Sequence, residues 1–457
     1  MDTFSSPFFS NSLIHMDLVK KEKQIDLDYQ YKFPDRLTEI PYNKKIIIVA
    51  NDTARYIVLN NENQLAFFRA LKNMTIRKAI ESRYVSDDDI RFVLIQIEAK
   101  QLENTNIVTT HRNHLQLFVT QLCNLRCPHC YMSSGEKLAN ELSTKEILSI
   151  LDSFSKNGGR FVTFTGGEVC TRTDFIDIVK YAKYTGLNVE IFTNGTLWTK
   201  ELVDNISDCI DKVQISIDGY DEESNAKIRG KGNFHKSLNA VRLFHKKGIP
   251  IRIAITPQLD DLLHNRPKYV DFTKRLLSEY PQNLRVVFTG ELLDGRNGKI
   301  SIANKKAYIE NIEQLYIDCY GTSSDWPMIN RLREGKIFDN CSFGELAISS
   351  NGNVSFCGRL PYLPSVTNVR DVKFDEIIRL SKIAKQKSNI NMLKPCKDCA
   401  IKYICGGGCR IEHFPELIKS TDIEGFDVNI IKPRICNEKQ KNKYYDLMIR
   451  INDKLFM

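Results

Sequence analysis

Several things are missing from this chain of 457 residues. No run of about 18 apolar residues occurs, so no membrane span is expected. The start, Met1-Asp-Thr-Phe-Ser-Ser-Pro-Phe-Phe9, has neither the basic stretch nor the long apolar stretch of an export signal, which points to a cytoplasmic protein. Without such a signal, the 13 cysteines do not read as a disulfide framework; thiols in a reducing compartment point to metal ligation. Runs of Lys and Arg interleaved with aromatics are absent, and a net charge of +9 is mild for this length. RNA modification or RNA binding is therefore disfavoured, and no nucleic-acid partner is expected.

What is present is a stretch that organises the rest. Cys123-Asn-Leu-Arg-Cys127-Pro-His-Cys130 spaces three cysteines as C-x3-C-x2-C just after a β-prone run at 114–120. A tight loop of that spacing can turn three thiolates toward one cuboidal iron–sulfur cluster, leaving one iron of four open for chemistry. Zinc is the competing reading, but it normally takes four ligands in two pairs. From His114 the chain alternates strand and helix, with strands expected at 115–119, 161–164, 188–192, 212–217, 251–255 and 284–288. Helical patterns between them include 143–156, 174–184 and 234–247. Polar motifs stand at successive strand ends: Thr165-Gly166-Gly167-Glu168, Phe192-Thr193-Asn194-Gly195 and Ile215-Ser216-Ile217-Asp218-Gly219, with Arg229 after a helix-breaking stretch. The glycines let the backbone approach a ligand closely, Glu168 can accept from an ammonium, and the Arg229 fork suits a carboxylate.

The cysteine spacing followed by these motifs in this order resembles the radical S-adenosylmethionine (SAM) enzymes. The resemblance implies a partial (β/α)6 barrel over residues 110–310, with the site at the C-terminal ends of its strands. In that family Cys123, Cys127 and Cys130 would be the catalytic metal ligands of a 4Fe-4S cluster whose open iron is chelated by SAM. One-electron reduction, by a flavodoxin- or ferredoxin-type partner, then yields a 5′-deoxyadenosyl radical that takes hydrogen from the substrate. His129 would lie beside the adenine, and Gly166, Gly167 and Glu168 would hold the SAM amino group. Thr193 and Asn194 would meet the ribose, and Ser216 and Arg229, with Asp218 in the same motif, the carboxylate. One departure is Val169 where the family usually has proline.

Seven more cysteines follow in the order Cys341, Cys357, Cys396, Cys399, Cys405, Cys409 and Cys436. A turn at Asn351-Gly352-Asn353 makes a hairpin that would bring Cys341 and Cys357 together. A zinc ribbon competes, but seven ligands do not divide into tetrahedral fours. The order resembles that of the SPASM domain (341–440, after a linker at 311–340 and before a tail at 441–457), which implies two auxiliary clusters and three 4Fe-4S clusters in all. By that analogy Cys396, Cys399, Cys405 and Cys436 ligate a distal cluster, and Cys341, Cys357 and Cys409 a proximal one. Cys319 is the internal candidate for the missing proximal ligand, while Cys170 and Cys209 read as buried thiols.

Ahead of the barrel, residues 1–37 read as an extension and 38–105 as a small domain. Two β-rich runs, 45–50 and 54–59, form a hairpin, and helical patterns follow at 62–71, 76–82 and from Ser86 onward. A hairpin with three helices reads as a winged helix, and its third helix is too acidic to read phosphates. The segment resembles the leader-recognition domain of ribosomal-peptide maturases, in which a leader adds as a strand. The whole therefore reads as an α/β radical SAM peptide maturase that cross-links a ribosomally made precursor, thioether ahead of carbon–carbon. A Ser/Cys oxidase of the sulfatase-maturase kind and a peptide epimerase are the alternatives.

Overall fold

The structure, a computed structural model, describes residues 26–82, 85–107, 113–290, 292–296, 298–321, 336–359, 363–413, 422, 424–425 and 436–456. Most of the expected extension, residues 1–25, and much of the expected linker, 322–335, lie outside the described residues.

The N-terminal unit is a three-stranded antiparallel sheet in the order β1 (Leu37–Tyr42), β2 (Lys45–Ala50), β3 (Tyr56–Leu59). Helices α1 (Glu62–Leu71), α2 (Ile76–Glu81) and α3 (Asp87–Ala99) follow. Asn61, Thr75 and Ser86 cap them, each side chain accepting from the backbone N–H three residues on. Strand β2 is apolar along its length because both of its faces are covered. Ile46, Ile48 and Ala50 pack with Phe67 and Phe68 of α1, whereas Ile47 and Val49 belong to the core that contains Met448 and Ile451 near the C-terminus. The core that holds Phe67 and Phe68 also takes in Tyr31, 3 % exposed, upstream of the expected domain start at residue 38. Strand β1 was not expected, since Glu39 and Pro41 break its β pattern; an edge position tolerates both.

Six parallel strands come next: β4 (His114–Phe118), β5 (Phe161–Thr165), β6 (Asn188–Thr193), β7 (Lys212–Ser216), β8 (Ile251–Ile255) and β9 (Leu284–Phe288). They are joined through α4 (Thr144–Lys156), α5 (Phe175–Tyr184), α6 (Lys200–Ile206), α7 (Glu222–Arg229), α8 (Asn233–Lys246) and α9 (Leu259–Glu279). Helix α10 (Ile302–Tyr320) follows β9 and packs on α9, so the segment read as linker begins inside a helix. Arg229 is also in a helix. The expected helix-breaking stretch is α7, capped by Asp221 with Ser224 and ended by Gly230 at φ +82°.

The parallel unit is open at β4, and the C-terminal region closes onto that edge. Strand β10 (Leu346–Ile348) pairs in parallel with β4, and β11 (Asn353–Ser355) and β12 (Thr367–Asn368) extend it, giving one sheet of order β12-β11-β10-β4-β5-β6-β7-β8-β9. The β10–β11 turn uses Gly352 at φ +87°. Helix α11 (Phe374–Lys387) lies against α4. The last helix, α12 (Glu438–Phe456), returns to the N-terminal sheet. There Tyr56 donates to the Met448 carbonyl at 3.1 Å, and Lys100 donates to Asn452 at 2.7 Å. The segment expected as a tail is thus a structural cover for β2 and β3. No described helix is long and apolar enough to cross a membrane.

Candidate active site

The cysteine loop leaves the end of β4 and is fixed by its backbone. Cys123 N donates to Gly135 O at 3.0 Å, Gly135 N to Gln121 O at 2.9 Å, and Cys130 N to Cys127 O at 3.2 Å. The loop also lies on the end of β5, where Gly167 N donates to Thr120 O at 2.8 Å and Glu168 N to Leu122 O at 2.9 Å. A Cβ on Gly166 would strike Thr120 O, and one on Gly167 would strike Leu122 O. The close approach that these glycines permit is therefore between two protein segments. The expected approach to a ligand is not needed to explain them.

Cys123, Cys127 and Cys130 line one cavity of about 350 Å³. Burial, with smaller effects from neighbouring charges, pushes the Cys123 thiol up to about 11 and raises Cys127 as well. Thiols so placed stay protonated and inert unless a cation sits among them. Their arrangement leaves room for a cluster with one open position: the three thiols pack together, and Gly166, Thr193, Ser216 and Arg229 line the same free space.

The strand-end motifs divide by position. His129, Gly166, Gly167, Thr193, Asn194, Ser216 and Arg229 line the cavity, whereas Glu168 and Asp218 are fully buried behind it. Glu168 accepts from Thr193 Oγ1 at 2.6 Å and from Asn194 N at 2.7 Å, so its carboxylate ties the ends of β5 and β6 together. Burial raises its pKa, and those hydrogen bonds oppose the rise. Asp218 accepts from Arg229 Nε at 2.6 Å and from Thr256 N at 2.8 Å, and lies 3.3 Å from His129 Nε2. Burial pushes the His129 pKa below its usual value, with Asp218 opposing, which favours a neutral ring. Both carboxylates hold the cavity-facing residues in place. Ser134 was missed from the sequence: it is 2 % exposed, lines the cavity, and its hydroxyl has no hydrogen-bond partner among the described residues.

The auxiliary cysteines fall into two neighbourhoods. Burial pushes Cys357 up to about 11, with Cys341 and Cys409 adding to it, while Cys399 is raised by burial with contributions from Cys405 and Cys436. Between them lies Arg410, fully buried, which donates to the carbonyls of Ser388 (2.8 Å), Gly406 (2.9 Å) and Gly408 (2.7 Å). Its charge acts on Cys341, Cys396, Cys405 and Cys409, a role that no spacing rule reveals. Cys319 is elsewhere, near Thr273, Lys274 and Asp318 rather than beside the proximal thiols. Cys170 hydrogen-bonds Glu168, and burial pushes its thiol far up.

Residues 117–262 match the Radical SAM superfamily profile, and residues 341–400 match SPASM, an iron–sulfur cluster-binding domain. The chain is a radical SAM enzyme. Its domains imply SAM and 4Fe-4S clusters as cofactors. This radical SAM enzyme is 29% identical over 330 residues to the AdoMet-dependent heme synthase of Oleidesulfovibrio alaskensis, covering 65% of this chain and 82% of that protein. It is 35% identical over 173 residues to the mycofactocin maturase MftC of Mycolicibacterium smegmatis, covering 37% of this chain but only 42% of the maturase. Among solved structures, native anSMEcpe with bound AdoMet and Cp18Cys peptide aligns with a TM-score of 0.52 at 17% identity, covering 75% of this chain and 97% of that one. That likeness extends to the fold.

Proposed function

We propose that this enzyme is a peptide maturase that removes hydrogen from a ribosomally made precursor and closes an intramolecular cross-link, a thioether ahead of a carbon–carbon bond. Three 4Fe-4S clusters, one held by Cys123, Cys127 and Cys130 and two by the auxiliary cysteines, would serve it together with a flavodoxin- or ferredoxin-type reductant. Bound SAM and its cluster supply a carbon radical able to abstract hydrogen. The chain's own residues would orient the reactants: Arg229, fixed by Asp218, would offer its remaining N–H groups to the SAM carboxylate, and Thr193 and Asn194, fixed by Glu168, would meet the ribose.

The observation that carries the peptide reading is the N-terminal sheet with one edge closed and one open, read as a winged-helix leader-recognition domain. At the β3 edge Val58 is taken by a side chain: its N donates to Gln96 Oε1 at 2.9 Å, and Gln96 Nε2 donates to its O at 2.8 Å. At the other edge, Asn51 N donates to Arg36 O, which sets the alternation of β1 so that Leu37, Glu39 and Pro41 turn their backbone groups outward. Those groups have no partner among the described residues, and an extended leader can add there as a strand. Glu39→Pro removes an outward N–H while sparing the bonds to β2. It is expected to weaken leader binding at least tenfold by titration calorimetry relative to Glu39→Ala, with SAM cleavage in the absence of peptide unchanged. Equal affinity of the two variants would place the leader elsewhere.

The cavity favours cross-linking over Ser/Cys oxidation. No carboxylate lines it among the described residues, and the position after Cys357, where the sulfatase-type oxidases resemble one another in having Asp, is Gly358. The heme synthase likeness gives a second reading, a heme precursor as substrate, supported by its longer match. Mass spectrometry of the peptide encoded beside the gene decides. Loss of two hydrogens with a thiol that no longer alkylates is expected. Loss of two hydrogens with every thiol free means a carbon–carbon link, and deuterium uptake without mass loss in ordinary water means epimerisation. An unaltered peptide alongside turnover of an iron–porphyrin would give the heme reading.

A further inference from the structure

Gln116 belongs to β4 and lines the cavity, yet its carboxamide has no hydrogen-bond partner among the described residues. It also reaches the auxiliary region. Gly358 directly follows Cys357, and a Cβ built on Gly358 would collide with the Gln116 amide, whose Oε1, Cδ and Nε2 are its three nearest atoms. One side chain thus touches both the radical cavity and the loop bearing a thiol that neighbours Cys341 and Cys409. The other carboxamides of the lining are engaged: Gln214 Oε1 accepts from Arg252 at 3.1 Å, and Asn194 Nδ2 donates to Asn124 at 2.9 Å. Arg229 is bound by Asp218, and Thr256 pairs with Thr289 at 2.7 Å.

We infer that Gln116 is a positioning residue for the substrate peptide, its carboxamide pairing with a main-chain amide beside the residue that loses hydrogen, on the cavity side facing the auxiliary thiols. A carboxamide donates and accepts at once and so matches a peptide bond, whereas a charged side chain there would select an ion. A neutral partner also suits a wall without carboxylates, since a cationic substrate group would be desolvated without a counter-charge. Glycine at 358 keeps that amide in place: any side chain would push the flexible end of Gln116 away. The inference rests on the peptide reading above.

The test uses holoenzyme, reconstituted anaerobically, and a synthetic peptide made to the sequence of a candidate precursor found by searching for short reading frames beside the gene. Gln116→Ala and Gly358→Ala are each expected to lower modified peptide formed per 5′-deoxyadenosine about tenfold, the size of one lost hydrogen bond to a poised group. The precursor KM and the cluster absorbance should hold, because leader contacts and thiols are untouched. The pair Gln116→Ala/Gly358→Ala should be no worse than Gln116→Ala alone, since the added methyl then displaces nothing. Unchanged coupling in Gln116→Ala, additive losses in the pair, or lost cluster absorbance would each overturn the assignment. A wild-type enzyme that cleaves SAM and leaves the peptide unmodified removes the peptide reading itself, an outcome visible before any variant is compared.

Discussion

Enzyme carrying Ala at Cys123, Cys127 and Cys130 together is expected to form no 5′-deoxyadenosine, while keeping about eight of about twelve irons if all clusters are of the four-iron type. The fold should survive the change. The loop is held by backbone hydrogen bonds from Cys123, Gly135 and Cys130, and by the ends of β4 and β5, none of which uses sulfur. Alanine at one buried and two half-buried positions removes small side chains whose sulfurs take only long contacts, from Leu125 N at 3.4 Å and Asn194 Nδ2 at 4.0 Å to Cys123 Sγ. The auxiliary thiols occupy a separate neighbourhood around Arg410, so their iron should be indifferent to the loop. Anaerobic reconstitution, iron analysis and chromatography of the nucleoside product measure both halves at once. Residual SAM cleavage would mean that the three thiols are not where the chemistry starts, and loss of all iron would mean that the sites are not independent.

What could be read from the sequence and what could not follows a physical line. The cysteine loop and the strand-end motifs were legible because ligand spacing and strand–helix alternation are local, and β8 and β9 fall where the pattern placed them. Local rules say less where a residue's meaning depends on what packs against it. Motif reading groups Glu168 and Asp218 with the residues that would hold SAM; both are fully buried and neither lines the cavity, because a residue at a strand end faces inward or backward according to pleat and loop path. Strand β1 was hidden by Pro41, which a central strand would exclude and an edge admits. The run Lys45–Ala50 advertised a strand covered on both faces, but not that the second cover is α12, some 400 residues away and read as a tail; an apolar stripe does not name its partner. For the same reason, removing residues 1–105 is a poor test of leader binding. It would expose Tyr445, Met448 and Ile451 of α12 along with the intended surface.

The buried pair behind the cavity gives the other large expected effect. Asp218 presents two acceptor oxygens, one to Arg229 Nε at 2.6 Å and one to Thr256 N at 2.8 Å, with His129 Nε2 3.3 Å from the first. Asp218→Asn keeps the shape but has one acceptor, so whichever way the amide turns, an N–H faces an N–H, and the Arg229 guanidinium loses its counter-charge where its side chain is only 10% exposed. Removing one partner of a buried ion pair costs roughly 3–5 kcal/mol, whereas removing both charges costs far less. Asp218→Asn is therefore expected to lower the denaturant midpoint strongly and to raise the KM for SAM at least tenfold, as Arg229 swings from its aim. Asp218→Asn/Arg229→Met should recover much of the stability without recovering SAM affinity, because the guanidinium that meets the carboxylate is gone. That split separates a scaffold role from a binding one. If the double variant regained SAM affinity along with stability, Arg229 would be a structural partner of Asp218 and the SAM carboxylate would be held by other residues. If Asp218→Asn bound SAM as the wild type does, the carboxylate behind the cavity would not be setting the guanidinium's direction.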